Sequence, residues 1–126
     1  MIFGIGTDIV SVARMEQALE RHGDRFAERI LATSELDEFR QSNKPAHFLA
    51  KRFAAKEAAA KAFGTGFRYG LAMNDFLIGH DGLGRPLLQF TGKAEEYRKR
   101  NAIGESFLSI SDENEHAVAF VTLLRC

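Results

Sequence analysis

An α+β domain, with a mostly antiparallel sheet packed on one long helix, follows from three stretches of this sequence. Residues 45–64 read as the long helix: Pro45 suits a first turn, the alanines, lysines and Glu57 favour helix, and Gly64 is a stop signal. Ile2 to Val10 is apolar and β-branched, interrupted by Gly4 and Gly6, and reads as a strand entering a helix capped by Ser11. Near the C-terminus, Leu108 and Ile110 alternate with Ser109 and Ser111. Ser106–Ser111 and His116–Leu124 are therefore expected to form a hairpin about Glu113-Asn114-Glu115, with one wet face.

The remaining elements fall between these. A helix over Val12–His22 ends at Gly23, and a shorter one spans Asp24–Leu31. Ser34 with Asp37 resembles a short-armed capping box opening a helix through Phe39, and Asn43-Lys44-Pro45 breaks the chain before the long helix. After Gly66 comes an irregular loop, Phe67–Met73. Strands over Asp75–Ile78 and Leu87–Phe90 then flank a glycine-rich turn, His80–Pro86. Thr91 caps a polar helix over Lys93–Arg100 whose one large apolar residue in mid-helix is Tyr97.

Composition bounds the function. A length of 126 residues, 45% of them hydrophobic, suits one domain over residues 1–126. Seventeen Lys and Arg against seventeen Asp and Glu leave no net field, which argues against a nucleic-acid binder. No apolar run reaches the ~20 residues of a membrane span, and the start of the chain lacks a signal peptide's basic region, so a cytoplasmic protein is expected. The single cysteine, Cys126, is the last residue and can staple nothing within the chain. The four histidines show no metal-ligand spacing, and Gly4-Ile5-Gly6 is too short for a dinucleotide fingerprint.

The chemistry gathers around Glu57. Leu49, Phe53, Ala60 and Phe63 form an apolar stripe on the long helix, with Glu57 and Lys61 at its edge. A Glu–Lys pair four residues apart is most simply a solvated contact worth ~0.2–0.5 kcal/mol. Three features favour a site. Ala50 and Ala54 flank the pair and leave the carboxylate unscreened; Lys56 falls inside the apolar stripe, where it must snorkel out or meet an anion. Lys51, Arg52, Lys56, Lys61 and Arg68 also face one acid, Glu57, between residues 51 and 70, a charge pattern suited to a polyphosphate with a divalent metal. Asp8, an acid in an apolar strand, is a capping or turn aspartate, or else is hydrogen-bonded, salt-bridged or ligating a cation. Gly64, Thr65 and Gly66 offer backbone amides to phosphate, but at the helix end whose dipole disfavours anions. Arg14, Arg21 and Arg25 lie seven and four apart, on a solvated face or a surface that docks an acidic partner.

The stretches GTDIV (Gly6–Val10) and RFAAKEAAAKAFGTG (Arg52–Gly66) resemble those of the holo-acyl carrier protein synthases, the small phosphopantetheinyl transferases. The likeness runs the length of the chain and takes in the Gly84-Arg85-Pro86 turn and the closing hairpin. It implies transfer of the phosphopantetheine arm of coenzyme A to a serine of apo-acyl carrier protein, releasing adenosine 3′,5′-bisphosphate, with magnesium required. Such a reaction supports fatty acid biosynthesis. The resemblance implies that Asp8 and Glu57 ligate the metal and that Lys61 lies near the pyrophosphate. It offers Arg52, Lys56, Gly64 and Thr65 as phosphate contacts, and Pro86 as a border of the adenine. Whether Glu57 or a water on the metal takes the serine proton stays open. It further implies a homotrimer with active sites shared between subunits, and a carrier protein docked on Arg14, Arg21 and Arg25. One departure is Asp112 in Ser-Ile-Ser-Asp-Glu, where many members have a histidine that contacts the nucleotide; an acid there must point away from phosphate or meet a cation.

Overall fold

A computed structural model describes all 126 residues. Strand β1 (Ile2–Ser11) leads into α1 (Val12–His22), α2 (Asp24–Ile30), α3 (Thr33–Gln41) and the long α4 (Pro45–Phe63). A short 3-10 turn, Met73–Asp75, precedes β2 (Phe76–His80) and β3 (Pro86–Phe90). The chain finishes with α5 (Gly92–Arg100), β4 (Ile103–Asp112) and β5 (His116–Arg125). The sheet runs β1-β5-β4, antiparallel throughout, and β2-β3 is a separate hairpin. The expected fold class is the observed one.

Helix α4 begins at Pro45 and closes on Gly64, which adopts the left-handed conformation (φ 85°) that glycine enters without a Cβ penalty. Its burial is wider than the expected stripe. Ala50, Ala54, Ala55, Ala58, Ala59, Ala60 and Ala62 are buried together with Leu49 and Phe63. The alanines let β1 come close: a Cβ on Gly4 would stand 2.0 Å from the Ala62 carbonyl oxygen, and one on Gly6 2.0 Å from that of Ala58. Gly4 and Gly6 are therefore packing residues, placed where strand backbone touches helix backbone. At the last residue of α4, Phe63 anchors a second cluster, stacked on Tyr97 (4.9 Å) and Phe90 (5.5 Å).

Two local expectations are corrected. Helix α3 is closed at its start by Glu35, which accepts a hydrogen bond from the Ala32 amide at 2.9 Å, and not by Ser34 and Asp37. The outward face of the sheet is exposed but largely apolar. Ser109 and Ser111 are exposed as β4 alone suggests, but β1 and β5 add Ile5 (57% exposed), Ile9 (65%), Val118 and Phe120 to that face, beside Phe107 of β4. The register sets Ile9 opposite Val118, and Phe120 between Thr7 and Ser109. An apolar sheet face of this kind marks an interaction surface.

Candidate active site

The close passage of β1 over α4 decides where Asp8 falls. Two residues beyond Gly6 and on the same face of the strand, its carboxylate is 17% exposed and receives Lys61 Nζ at 3.1 Å; the same ammonium donates to the Thr7 carbonyl at 3.0 Å. Glu57 is half-buried one turn before Lys61. Burial, and then the charge of Asp8, push the Glu57 carboxyl above the usual carboxylate range, with Lys61 opposing. Asp8 and Lys61 are thus in contact, and Glu57 stands near enough for its carboxyl to feel both charges.

Two neighbouring carboxylates favour a cation, and Lys61 is paired with Asp8 alone. No group of three or more His, Cys, Asp or Glu side chains is clustered for a metal. Two carboxylates still suit magnesium, which takes one or two acids and fills its remaining positions with substrate phosphate oxygens and water. The residues present fit the metal that the resemblance implies.

The other candidate phosphate contacts distribute differently. Lys56 is fully buried, and its ammonium donates to Glu35 Oε1 at 2.5 Å and to the Ile30 carbonyl at 2.6 Å. Desolvation lowers its pKa against the pull of Glu35. Lys56 meets an anion, as its place in an apolar stripe required, but the anion is a side chain of α3, and its ammonium is not available to a ligand. At the C-terminus of α4, the Gly64 amide closes onto Lys61 O (2.9 Å) and that of Gly66 onto Ala60 O (3.1 Å). Gly64 therefore offers no free amide, whereas Thr65, buried at the surface of this turn, keeps its own amide without a backbone partner.

Arg52 belongs to a separate place. With Phe48, Lys51, His80, Gly84, Pro86, Ile110 and Asp112 it lines a cleft of about 310 Å³ between α4, the β2–β3 turn and the end of β4. Asp112 is exposed and lines the same cleft as Lys51, Arg52 and His80, with no ion pair to any of them. The turn is rigid: Asp81 Oδ1 accepts from the Leu83 and Arg85 amides, both at 2.9 Å, and these bonds hold its carboxyl below the usual range. None of Asp8, Glu57 or Lys61 lines this cleft. One chain carries the paired acids and the cationic cleft as two distinct surfaces.

Arg14 and Arg21 share a groove on α1 and α2, as their spacing required, with Gln17, Ala18, His22, Phe26 and Arg29. Arg25 lies in an adjoining hollow with His22, Phe26 and Arg29. Phe26 and Arg29 were not singled out from the sequence; their signal was Phe26 recurring among arginines at helical spacing in α2. No helix is long and apolar enough to cross a membrane.

Residues 4–121 match the 4′-phosphopantetheinyl transferase superfamily, and the chain belongs to that family. It is 57% identical over 124 residues to the holo-[acyl-carrier-protein] synthase of Halorhodospira halophila, covering 98% of both chains. Among solved structures it superimposes on the holo-[acyl-carrier-protein] synthase of Neisseria meningitidis with a TM-score of 0.94 at 46% identity, over 99% of this chain and 100% of that one. The Helicobacter pylori holo-[acyl-carrier-protein] synthase in complex with coenzyme A is similar at 32% identity and a TM-score of 0.82, over 95% and 99% of the two chains.

Proposed function

We propose that this protein transfers the 4′-phosphopantetheine arm of coenzyme A to a serine of apo-acyl carrier protein, releasing adenosine 3′,5′-bisphosphate. The observation that carries the reading is the Asp8–Lys61 pair beside Glu57, within a chain similar over its whole length to holo-acyl carrier protein synthases. The serine oxygen forms a bond to the phosphorus bearing pantetheine, and the bond from that phosphorus to the nucleotide's bridging oxygen breaks. A magnesium ion, when held by Asp8 and Glu57, supplies charge neutralisation at the pyrophosphate oxygens. Glu57 is the proposed proton acceptor for the serine hydroxyl, as the half-buried carboxylate beside Asp8 and Lys61. Lys61 leaves Asp8 to neutralise the departing phosphate. The adenosine bisphosphate end occupies the cleft of Arg52 and Pro86, with Thr65 near the pyrophosphate.

Because the acids and the cleft lie apart on one chain, the proposed site joins the acids of one subunit to the cleft of its neighbour in a homotrimer. The apolar sheet face is the proposed contact. Phe120→Glu is expected to give monomers by light scattering and to lose most transfer activity; trimers with wild-type activity would remove that face from the interface.

Carrier protein docks on Arg14, Arg21 and Arg25, with Phe26 as an apolar centre and Arg29 completing the basic rim. Arg21→Glu is expected to raise the KM for the carrier about tenfold at low salt, with kcat little changed and the gap narrowing as salt screens the contact. A KM unchanged at low salt would place docking elsewhere.

The reaction itself is read by intact mass of apo-acyl carrier protein after incubation with the protein and coenzyme A, in magnesium or in chelator. The expected result is a gain of one phosphopantetheine in magnesium alone. Coenzyme A binding with no covalent product on any of a panel of carriers would make this a binding module.

A further inference from the structure

The carboxylate of Glu35 lies behind the cleft of Arg52 and is 2% exposed. Its oxygens gather four donors from separate parts of the fold. Oε1 accepts from the Ala32 amide at 2.9 Å and from Lys56 Nζ at 2.5 Å, and Oε2 accepts from Arg52 Nη1 at 3.1 Å and from the Ile78 amide at 3.2 Å. Two of these donors belong to the cleft's opposite walls. Arg52 forms part of the α4 wall, and Ile78 precedes by two residues His80, which opens the β2–β3 wall. One buried carboxylate ties both walls from behind.

Arg52 is held on three sides. Its second terminal nitrogen donates to Glu38 at 2.8 Å, and its guanidinium lies 4.4 Å from the centroid of Phe48. Two of its five N–H donors are committed to carboxylates, and the side chain keeps only 6% of its surface exposed while lining the cleft. The rotamer freedom that a long side chain would lose on binding is already gone. A counter-ion for Lys56 alone would not need contacts to Arg52 and Ile78.

We infer that Glu35 is a positioning residue for the nucleotide end of the reaction: it fixes Arg52 and the β2–β3 wall so that the cleft is formed before coenzyme A arrives. The inference rests on the proposed seating of the nucleotide in this cleft.

Glu35→Gln alone would strand the buried Lys56 ammonium, so the informative variant is Glu35→Leu with Lys56→Met, which replaces the pair by apolar groups. Kinetics with magnesium and apo-carrier, varying coenzyme A, are compared for wild type, this double variant and Arg52→Ala. The double variant is expected to melt below wild type, because the Ala32 and Ile78 amides and Arg52 lose their acceptor. Under conditions where it stays folded, it is expected to raise the KM for coenzyme A about tenfold, with kcat and the carrier KM changed less than about twofold. A KM unchanged in the double variant but raised in Arg52→Ala would overturn the positioning role and leave the nucleotide's seat standing. A KM unchanged in Arg52→Ala would overturn the seat and the inference with it. Losses shared equally among kcat and both KM values would mean general loosening and would also overturn it. Glu38→Gln loosens the same guanidinium from an exposed side, so about a twofold rise in the coenzyme A KM is expected, and no rise contradicts the clamp even if the double variant fails to fold.

Discussion

Replacing Glu57 with glutamine is expected to lower transfer by about a thousandfold or more, the several kcal/mol that a placed cation and proton acceptor supply to phosphoryl transfer. The loss should come with no loss of stability. The Glu57 carboxyl is raised above its ordinary range, so its ionised form costs the fold free energy. That contribution is favourable below the unfolded carboxylate pKa of about 4.3 and is lost as pH rises through the folded value. In chelator at pH 7, Glu57→Gln should therefore melt at or above wild type, and the difference should close as the pH falls towards 4. Magnesium should raise the melting temperature of wild type more than that of the variant. Wild-type turnover in the variant would remove Glu57 from the site.

Gly6→Ala is expected to destabilise the protein by about 3 kcal/mol or more, a large effect for one methyl group. The new Cβ would stand 2.0 Å from the Ala58 carbonyl oxygen and 2.7 Å from the Ala62 amide nitrogen, and helix backbone does not give way as a side-chain tip does. Gly82 provides the control: nothing lies within 4 Å of its Cβ position, so Gly82→Ala should unfold near the wild-type midpoint in urea. Equal midpoints for the two variants would contradict the close passage of β1 over α4. The contact has a functional consequence, because Asp8 follows Gly6 on the same strand face and Glu57 precedes Ala58. A surviving Gly6→Ala protein should bind magnesium more weakly.

Elements whose signals are local were legible in the sequence. Ser11 caps α1, Gly23 and Gly64 end helices where glycine's conformational freedom is needed, and the two hairpins follow from alternation and turns, though the pairing of β1 with β5 does not. Asp8, Glu57 and Lys61 came from a polar residue in an apolar strand and an acid among cations, sharpened by resemblance. What the sequence hid depends on side chains brought together over distance. Counting charges between residues 51 and 70 overstated the cations offered to a ligand, because Glu35 buries Lys56 away from any ligand and, with Glu38, offsets the charge of Arg52, which still lines the cleft. Gly4 and Gly6 looked like breaks in a strand until a helix lay against them. Ser109 and Ser111 suggested a wet face because the pattern of β4 says nothing of Ile9 or Phe120 beside it. The separation of the acids from the cleft likewise follows from their positions around α4 and from the hairpin that covers one side of it.

The central proposal is that one active site takes its acids from one chain and its nucleotide cleft from the next. Mixing two defective chains tests it most directly: Glu57→Gln, with an intact cleft, and Lys51→Glu/Arg52→Ala, with intact acids, assembled together and assayed at coenzyme A well below the KM. Sites shared between subunits predict activity above the sum of the two proteins alone, since a native site forms wherever intact acids meet an intact cleft. Activity equal to that sum, in assemblies shown to contain both chains, would mean that each chain holds a whole site and would contradict the proposal.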